Sequence, residues 1–286
     1  MKKVVMLGCE NGHVNSFLNF IKEGLFPEIE VIGAYSEDKE AMQKLEDNYG
    51  VPQMASYDEA VGKVDGIIVT ARHGGLHYKF AKPYIESGVV MFIDKPITVS
   101  EEDALNFMAE LKANNIKITG GSCLKHIDFI KELKKDNEDG ETIGGLVRAP
   151  IWFDNPWGGM FFYAGHLVEA LLEIYGRYPL SVKAYRKGKG VLVVFNYENY
   201  NITGLFSEDS AHYYAARYTK DSTKAMELEV NDPWFKAEFN EFYDILCNNG
   251  EVKISYKDFI APVFVMNAIN RSLESGKEEK VTEYNI

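Results

Sequence analysis

The sequence predicts an α/β protein in which a doubly wound parallel sheet is followed by an α+β domain with a largely antiparallel open sheet. Two observations lead to this fold class. Up to about residue 120, short apolar runs rich in β-branched residues alternate with helical patterns, which is typical of parallel strands buried on both faces. From residue 145 onward, extended segments follow one another at hairpin-like spacing, which is typical of an antiparallel sheet.

Length, charge and cysteine content limit the classes of function. The 286 residues suit two domains, and we place the boundary at Gly120-Gly121, which gives domains of residues 1–120 and 121–286. The net charge of −12 argues against nucleic acid or a membrane surface as a partner, since both require positive charge. We expect neither a signal peptide nor a membrane segment, and the 3 widely spaced cysteines fit a reduced, cytoplasmic location.

Five apolar runs predict the strands of the first domain, and amphipathic stripes between them predict its helices. The strands are predicted at residues 4–7, 29–35, 66–70, 89–93 and 116–119. The helices are predicted around residues 17–21 and at residues 38–48, 77–88 and 100–114. A short strand after Pro52 and a brief helix at residues 58–61 complete this domain.

The second domain is predicted to open with a helix whose apolar stripe is Ile127, Ile130 and Leu133, followed by a polar surface turn at residues 134–140. Its strands are predicted at residues 146–153, 182–185, 191–197, 201–206, 212–218 and 225–230. Further helices are predicted at residues 161–175, 239–247 and 258–275.

The turn after the first strand has the position of a phosphate-binding loop but an altered sequence. The dinucleotide motif is G-x-G-x-x-G, and Gly8 fits its first position. Glu10 occupies the second position, and His13 occupies the third, with Gly12 one place early. If a dinucleotide binds here, these residues and Asn11 contact it. The alternative is a tight turn without a ligand, and this motif alone does not decide between them.

The residue after the second strand usually distinguishes NAD from NADP, because an acidic side chain there binds the ribose hydroxyls. Ser36 stands at this place and could contact either cofactor, while Glu37 and Asp38 follow it and would repel a phosphate. NAD is therefore favoured over NADP. The alternative is that these three residues only cap the next helix.

The fourth strand ends in Asp94-Lys95-Pro96, a charged pair after five apolar residues. Such a pair is unusual as packing, but it is understandable if Lys95 projects from the carboxyl edge of a parallel sheet, where ligands bind. A simple salt bridge between Lys95 and Asp94 is the alternative.

Together with Thr70 and His77, this segment resembles the first-domain signature of the Gfo/Idh/MocA family of NAD(P)-dependent oxidoreductases, which includes glucose–fructose oxidoreductase and inositol dehydrogenase. The resemblance extends more loosely over nearly the whole chain. It implies a Rossmann-type first domain and a second domain for substrate binding and oligomerisation. The cofactor contacts that it implies in this segment are Thr70, Arg72, His73, His77, Asp94 and Lys95.

The oxidation of an alcohol requires a hydride acceptor and a base that takes the hydroxyl proton. The resemblance implies that Lys95 bonds the reacting oxygen and that His166 is the base. In the family, the helix of His166 carries Asp-x-Gly-x-His-x-x-Asp; Glu169 matches the last position, but Phe162 replaces the first Asp. Tyr163 is the candidate for the missing hydrogen bond. For His166, the alternative is a histidine bonded to the backbone at a helix start.

Further substrate contacts are predicted at Trp152, Asp154 and Trp157, because aromatic faces and a carboxylate suit a carbohydrate. These aromatic residues could equally belong to a core. The resemblance adds Lys125 as a substrate contact. His73 and His77 are four residues apart, a spacing at which two histidines on a helix can bind one metal ion. Gly74-Gly75 between them disfavours a preformed helix, so we predict no metal site.

We therefore expect an oxidoreductase that transfers a hydride between NAD or NADP and a sugar, inositol or related hydroxy compound. The alternative is a non-catalytic binding or regulatory protein of the same family, supported by the altered glycine turn and by Phe162. A metal-dependent hydrolase using His73, His77 and His166 is a more remote alternative. From the family resemblance we also expect a homo-dimer or homo-tetramer formed through the second-domain sheet.

Overall fold

The computed structural model describes residues 1–134 and 140–286. The strands of its first sheet are β1 (Lys2–Leu7), β2 (Ile29–Tyr35), β3 (Gly66–Val69), β4 (Val90–Asp94) and β5 (Ile118–Gly121). Their order is β2-β1-β3-β4-β5, and every neighbouring pair is parallel. The helices between them are α1 (Gly12–Lys22), α2 (Lys39–Tyr49), α3 (His77–Ala81) and α4 (Glu101–Ala113). The predicted doubly wound parallel sheet is confirmed.

A second sheet follows. Its strands are β6 (Thr142–Pro150), β7 (Ser181–Lys187), β8 (Gly190–Asn196), β9 (Asn201–Ser207), β10 (Tyr213–Thr219), β11 (Thr223–Leu228) and β12 (Glu279–Lys280). The order is β11-β10-β6-β9-β8-β7-β12. Only the β6–β9 pair is parallel among these described strands, so the sheet is mostly antiparallel, as predicted.

The remaining helices are α5 (Asp128–Glu132), α6 (Phe161–Tyr175), α7 (Asp232–Cys247) and α8 (Tyr256–Ser275). Helix α6 is the central helix of the second domain: its side chains from Ala164 to Leu172 are all buried, and it packs on one face of the second sheet. This burial explains why the helix has no polar face. It also means that the polar residues of α6 are held inside the protein.

Three predicted elements are wrong in detail. The helix predicted at residues 77–88 is α only to Ala81 and continues as a 3₁₀ helix over Lys82–Ser87, because Pro83 has no N–H for the α-helical ladder. Residues 58–61 form a turn rather than a helix, and the strand after Pro52 is reduced to a single bridge between Ala34 and Gln53. The turn predicted at residues 134–140 falls largely outside the described residues.

The C-terminal helices connect the two halves of the molecule. Helix α7 begins at Asp232, seven residues earlier than predicted, and its Phe239 stacks on Phe17 of α1 with ring centroids 4.6 Å apart. Helix α8 contributes Phe264 to the core of the first sheet and Val265 to the core of the second. Residues beyond 230 therefore pack on both sheets. The boundary at residue 120 separates the two sheets in chain order, while the C-terminal helices contact both of them.

Candidate active site

The carboxyl ends of β1 and β3 meet where the strand order reverses, which is where open α/β sheets bind ligands. Gly8 has a φ of +77°, and a Cβ atom built there would lie 2.4 Å from Ala71. Only glycine permits this close approach of the two strand ends. The Thr70 hydroxyl donates to the Gly8 carbonyl at 3.1 Å and so fixes the turn.

Helix α1 begins directly after this turn, and its N-cap Asn11 accepts a backbone N–H of the first turn. A Cβ atom built at Gly12 meets nothing within 4 Å, so the space beside the helix start is open. A cavity of about 490 Å³ lies at the same sheet edge and is lined by Glu10, Ser36 and Arg72 among others. A phosphate at the helix start and a nucleoside in the cavity suit these features, so the residues present fit a dinucleotide.

Asp94 is the polar centre beneath this turn. Its buried carboxylate accepts from the Asn11 side chain at 2.9 Å and from the Lys95 backbone N–H at 2.7 Å. His13 Nδ1 lies 2.9 Å from it, and Lys95 Nζ lies 3.8 Å from it. Burial raises the pKa of Asp94, but the charges of His13 and Lys95 outweigh burial and hold the pKa well below its usual range. A charged Asp94 therefore ties the glycine turn to the end of β4.

Lys95 lies between the two domains and is only 4% exposed. A Cβ atom built at Gly165 of α6 would be 3.4 Å from the Lys95 Cβ, so the missing side chain allows α6 to approach Lys95 closely. The Lys95 ammonium lies 5.6 Å from the centroid of the Phe162 ring. Phe162 thus places an aromatic face, where the family has a carboxylate, beside this cation.

His166 enters the same site one residue after Gly165. Its Nδ1 shares a hydrogen bond of 2.7 Å with the Ser122 hydroxyl. The backbone N–H of Ser122 donates to the Glu169 carboxylate at 2.8 Å, so the residue after β5 holds two side chains of α6. Gly121 has a φ of +91°, and a Cβ atom there would lie 2.6 Å from Glu169. Glycine is needed at this crossing.

Ser122 is the functional residue that the sequence interpretation missed. It follows β5 as Lys95 follows β4, and neighbouring parallel strands end at the same edge of a sheet. This position after a buried strand is the signal that could have identified it.

Burial lowers the pKa of His166 well below its usual value, and the nearby charges of Lys95 and His13 lower it further. The imidazole is therefore neutral at physiological pH. Because Nδ1 is engaged by Ser122, Nε2 is the nitrogen that can exchange a proton with a ligand.

An aromatic group lies beside Lys95 and His166. The Tyr163 and His166 rings are 5.7 Å apart, and the Trp157 and Phe162 rings are 4.8 Å apart, centroid to centroid. Trp157 also stacks on the Arg72 guanidinium at 4.5 Å and lines the cavity of Glu10 and Ser36. Trp157, which the sequence predicts as a substrate contact, therefore lies on the side of the first domain.

Trp152 packs edge-on against Trp157 at the surface, where it is 46% exposed, and Asp154 is exposed in the same loop. Lys125 lies elsewhere: it donates to the Gly120 carbonyl and lines a separate cavity of about 680 Å³. The structure does not bring Lys125 to Lys95 and His166.

The histidines proposed as alternative metal ligands do not converge. His77 is fully buried and its Nε2 donates to the Ala71 carbonyl at 2.7 Å. His73 Nδ1 accepts the Gly75 N–H at 3.0 Å. Within residues 1–134 and 140–286, no group of three or more His, Cys, Asp or Glu side chains is arranged to hold a metal ion.

Comparison with known proteins identifies the first domain. Residues 2–121 match the oxidoreductase family with an NAD-binding Rossmann fold, GFO_IDH_MocA. This match confirms the resemblance of residues 2–121 to that family. The uncharacterized oxidoreductase YhhX of Escherichia coli is 24% identical over 133 residues, which are 42% of this chain and 38% of the relative. The match thus spans less than two fifths of the relative's length.

Solved structures share the fold over nearly the whole chain. The myo-inositol 2-dehydrogenase from Lactobacillus plantarum superposes with a TM-score of 0.85 at 13% identity, covering 98% of this chain and 99% of that one. GenD2 from gentamicin A biosynthesis, in complex with NAD, gives 0.84 at 14% identity, covering 99% and 97%. At these identities the likeness establishes the fold. None of the described helices is both long and apolar enough to cross a bilayer.

Proposed function

We propose that this protein is an NAD(P)-dependent oxidoreductase that transfers a hydride between a nicotinamide cofactor and a sugar, inositol or related hydroxy compound. The observation that carries this proposal is the meeting of Lys95 and His166 at Gly165. The two side chains come from different domains, and they meet at the sheet edge where this fold binds ligands.

The cofactor site in this proposal is the turn and cavity at the ends of β1, β2 and β3. The open space at Gly12 receives the pyrophosphate, and the cavity beside Glu10 and Ser36 receives the adenosine half. The acidic lining favours NAD over NADP, because a carboxylate repels a 2′-phosphate. A bound nicotinamide supplies the hydride acceptor.

Lys95 and His166 have different roles in the oxidation of the substrate hydroxyl group. The Lys95 ammonium stabilises the negative charge that develops on the oxygen as the proton leaves. His166 is neutral, so its Nε2 accepts that proton, while Nδ1–H donates to the Ser122 hydroxyl and fixes the tautomer. The Phe162 and Tyr163 rings form an aromatic wall beside this pair, which suits the C–H face of a ring-shaped polyol.

We also propose that the protein forms a homo-dimer or homo-tetramer through the open face of the second sheet. Along β8, Val191 and Val193 point to the buried side, so Leu192 between them lies on the opposite face and is 39% exposed. Tyr185 of the adjacent β7 pairs with Leu192 and is 55% exposed. Exposed apolar side chains on one sheet face support an interface between subunits.

Binding of NADH and NADPH to the purified protein, followed by nicotinamide fluorescence, tests this function. We expect saturable binding at about micromolar concentration. Gly12→Asp places a negative charge in the open space at the helix start without a steric clash, and it should abolish binding. Gly12→Ala is the matched control and should retain most of it. If the folded wild-type protein binds neither form, the proposal fails and the non-catalytic family member, consistent with Glu10 and Phe162, is the better account.

A further inference from the structure

The Glu10 side chain crosses from the β1 turn to the ends of two other strands. One carboxylate oxygen accepts from the Ser36 hydroxyl at 2.6 Å, and the other accepts the Arg72 backbone N–H at 3.0 Å. The carboxylate is therefore fixed at the wall of the 490 Å³ cavity, between the ends of β2 and β3. It is turned towards the adenosine side of the proposed cofactor site.

Ser36 stands where this fold usually has its ribose-binding acid, but its hydroxyl group is already engaged within the protein. Its hydroxyl already donates to Glu10, and its oxygen accepts the Asp38 N–H at 3.0 Å. The bond to Glu10 brings a carboxylate from β1 to the end of β2. The negative charge expected from β2 is thus supplied by another strand.

The neighbouring acids have other roles. The Asp38 carboxylate caps α2 by accepting the N–H groups of Glu40 and Ala41 at 3.0 and 3.1 Å. Glu37 is exposed and lies 3.4 Å from the Lys79 ammonium, which balances its charge at the surface. Glu10 is held by neutral donors instead, so its charge is uncompensated by these contacts.

A carboxylate has about four lone-pair positions, and these two contacts use two of them. The remaining positions suit two adjacent hydroxyl groups of a ribose. A phosphate on the 2′-hydroxyl would instead place two negative charges against each other. The Arg72 guanidinium also lines this cavity and is stacked on the Trp157 ring, whereas the group of Arg72 that contacts Glu10 is its backbone N–H.

We infer that Glu10 is the residue that binds the adenosine ribose hydroxyls and selects NAD against NADP. This inference rests on the proposed function. The residue that breaks the glycine motif is, on this account, the residue that determines cofactor specificity.

Calorimetric titration with ADP-ribose and with 2′-phospho-ADP-ribose tests the inference without any catalytic turnover. The wild-type protein should bind ADP-ribose at least about tenfold more tightly than its 2′-phosphate. Glu10→Gln keeps the size of the side chain and removes its charge. It should weaken ADP-ribose binding about tenfold and reduce the preference for ADP-ribose over 2′-phospho-ADP-ribose. Glu86→Gln, at an exposed acid that does not line this cavity, is the matched control and should leave ADP-ribose binding within about twofold of wild type.

The outcomes separate this inference from the proposed function. Binding of NADH by the wild type, with ADP-ribose affinity and preference unchanged in Glu10→Gln, overturns the inference alone. Tighter ADP-ribose binding by Glu10→Gln also overturns it, since Glu10 would then obstruct the site. Failure of the wild type to bind NADH or ADP-ribose overturns both.

Discussion

The Ser122 hydroxyl lies 2.7 Å from Nδ1 of His166, and the backbone N–H of the same serine donates to Glu169 one turn along α6. Ser122 is the first residue after β5, so the edge of the first sheet directly positions the central helix of the second domain. The orientation of the proposed base therefore depends on the contact between the two domains.

Removing the Ser122 hydroxyl should impair turnover without impairing cofactor binding. Ser122→Ala frees Nδ1 of His166, so the imidazole loses its fixed tautomer and orientation. A general base contributes about 10²–10⁴-fold to the rate, and we expect at least about tenfold of that to be lost in kcat. The affinity for NADH should stay at the wild-type value. Wild-type kcat in Ser122→Ala would show that this hydrogen bond does not position the base.

Removing either proposed catalytic side chain should reduce kcat by about 10²–10⁴-fold. The variants are Lys95→Met and His166→Gln, both measured with a substrate found by screening sugars and polyols. His212→Gln is the matched control, since His212 is exposed just before β10 and pairs with Glu227 of β11. Normal turnover in either site variant would refute the role of that residue.

The pKa of His166 should depend on the positive charge of Lys95. Burial, Lys95 and His13 lower the pKa of His166, so its imidazole should remain neutral as the pH falls through 6.5. Lys95→Met removes a positive charge that opposes protonation, so the pKa should move upwards. The measurement is an NMR titration of the His166 ring, assigned with His166→Gln.

A second histidine provides the control for this titration. Burial and the nearby Lys125 lower the pKa of His126 to about 3, and Lys95 is not among the causes. The His126 signal should therefore be unchanged by Lys95→Met. A His166 that titrates near 6.5 in the wild type would contradict the electrostatic account of a base kept neutral.

The fold was largely predictable because its strands are continuous apolar runs, as in Ile67 to Val69 and Met91 to Ile93, which are fully buried. Helix boundaries were less predictable. Pro83 ends the α-helical part of the 77–88 segment, and the start of α7 at Asp232 depends on packing against α1. The parallel β6–β9 pair joins residues that lie 57 positions apart along the chain, as in Gly145 and Ile202, and local pattern does not specify such a pairing.

The site was predictable where a residue contradicted its surroundings. Lys95 could be identified because a charged residue at the end of an apolar strand is unusual. Ser122 carries no such conflict, because a serine after a strand is ordinary. The role of Glu10 depends on its bonds to Ser36 and Arg72, which lie 26 and 62 residues away along the chain, so only the folded structure reveals it.

Replacing Glu238 by an apolar residue should stabilise the protein. Both carboxylate oxygens of Glu238 are buried and have no hydrogen-bond partner among the described residues. Burial raises its pKa well above the usual value, and the charge of Asp94 raises it further. Glu238→Met should therefore raise the free energy of unfolding at neutral pH by about 1–3 kcal/mol.

This gain should grow with pH, and the sign follows from the raised pKa. A carboxyl group whose pKa is higher in the folded protein stabilises the fold below its unfolded pKa, and that stability is lost as the pH rises through the folded value. Urea unfolding at pH 6 and pH 8 measures the difference. Glu251→Met, at an exposed glutamate, should change stability by less than about 0.5 kcal/mol. A less stable Glu238→Met at both pH values would indicate that the carboxyl group has an unrecognised partner.

A charge on the open face of the second sheet should dissociate the proposed oligomer. Leu192→Glu places a carboxylate on the exposed side of β8, and an apolar interface would have to bury it without a partner. Light scattering after gel filtration should then give the mass of a monomer, 32.4 kDa, where the wild type gives a multiple of it. Leu180→Glu is the matched control, because Leu180 is 59% exposed but precedes β7. A monomeric wild type would contradict the proposed assembly, and an oligomeric Leu192→Glu would place its interface elsewhere.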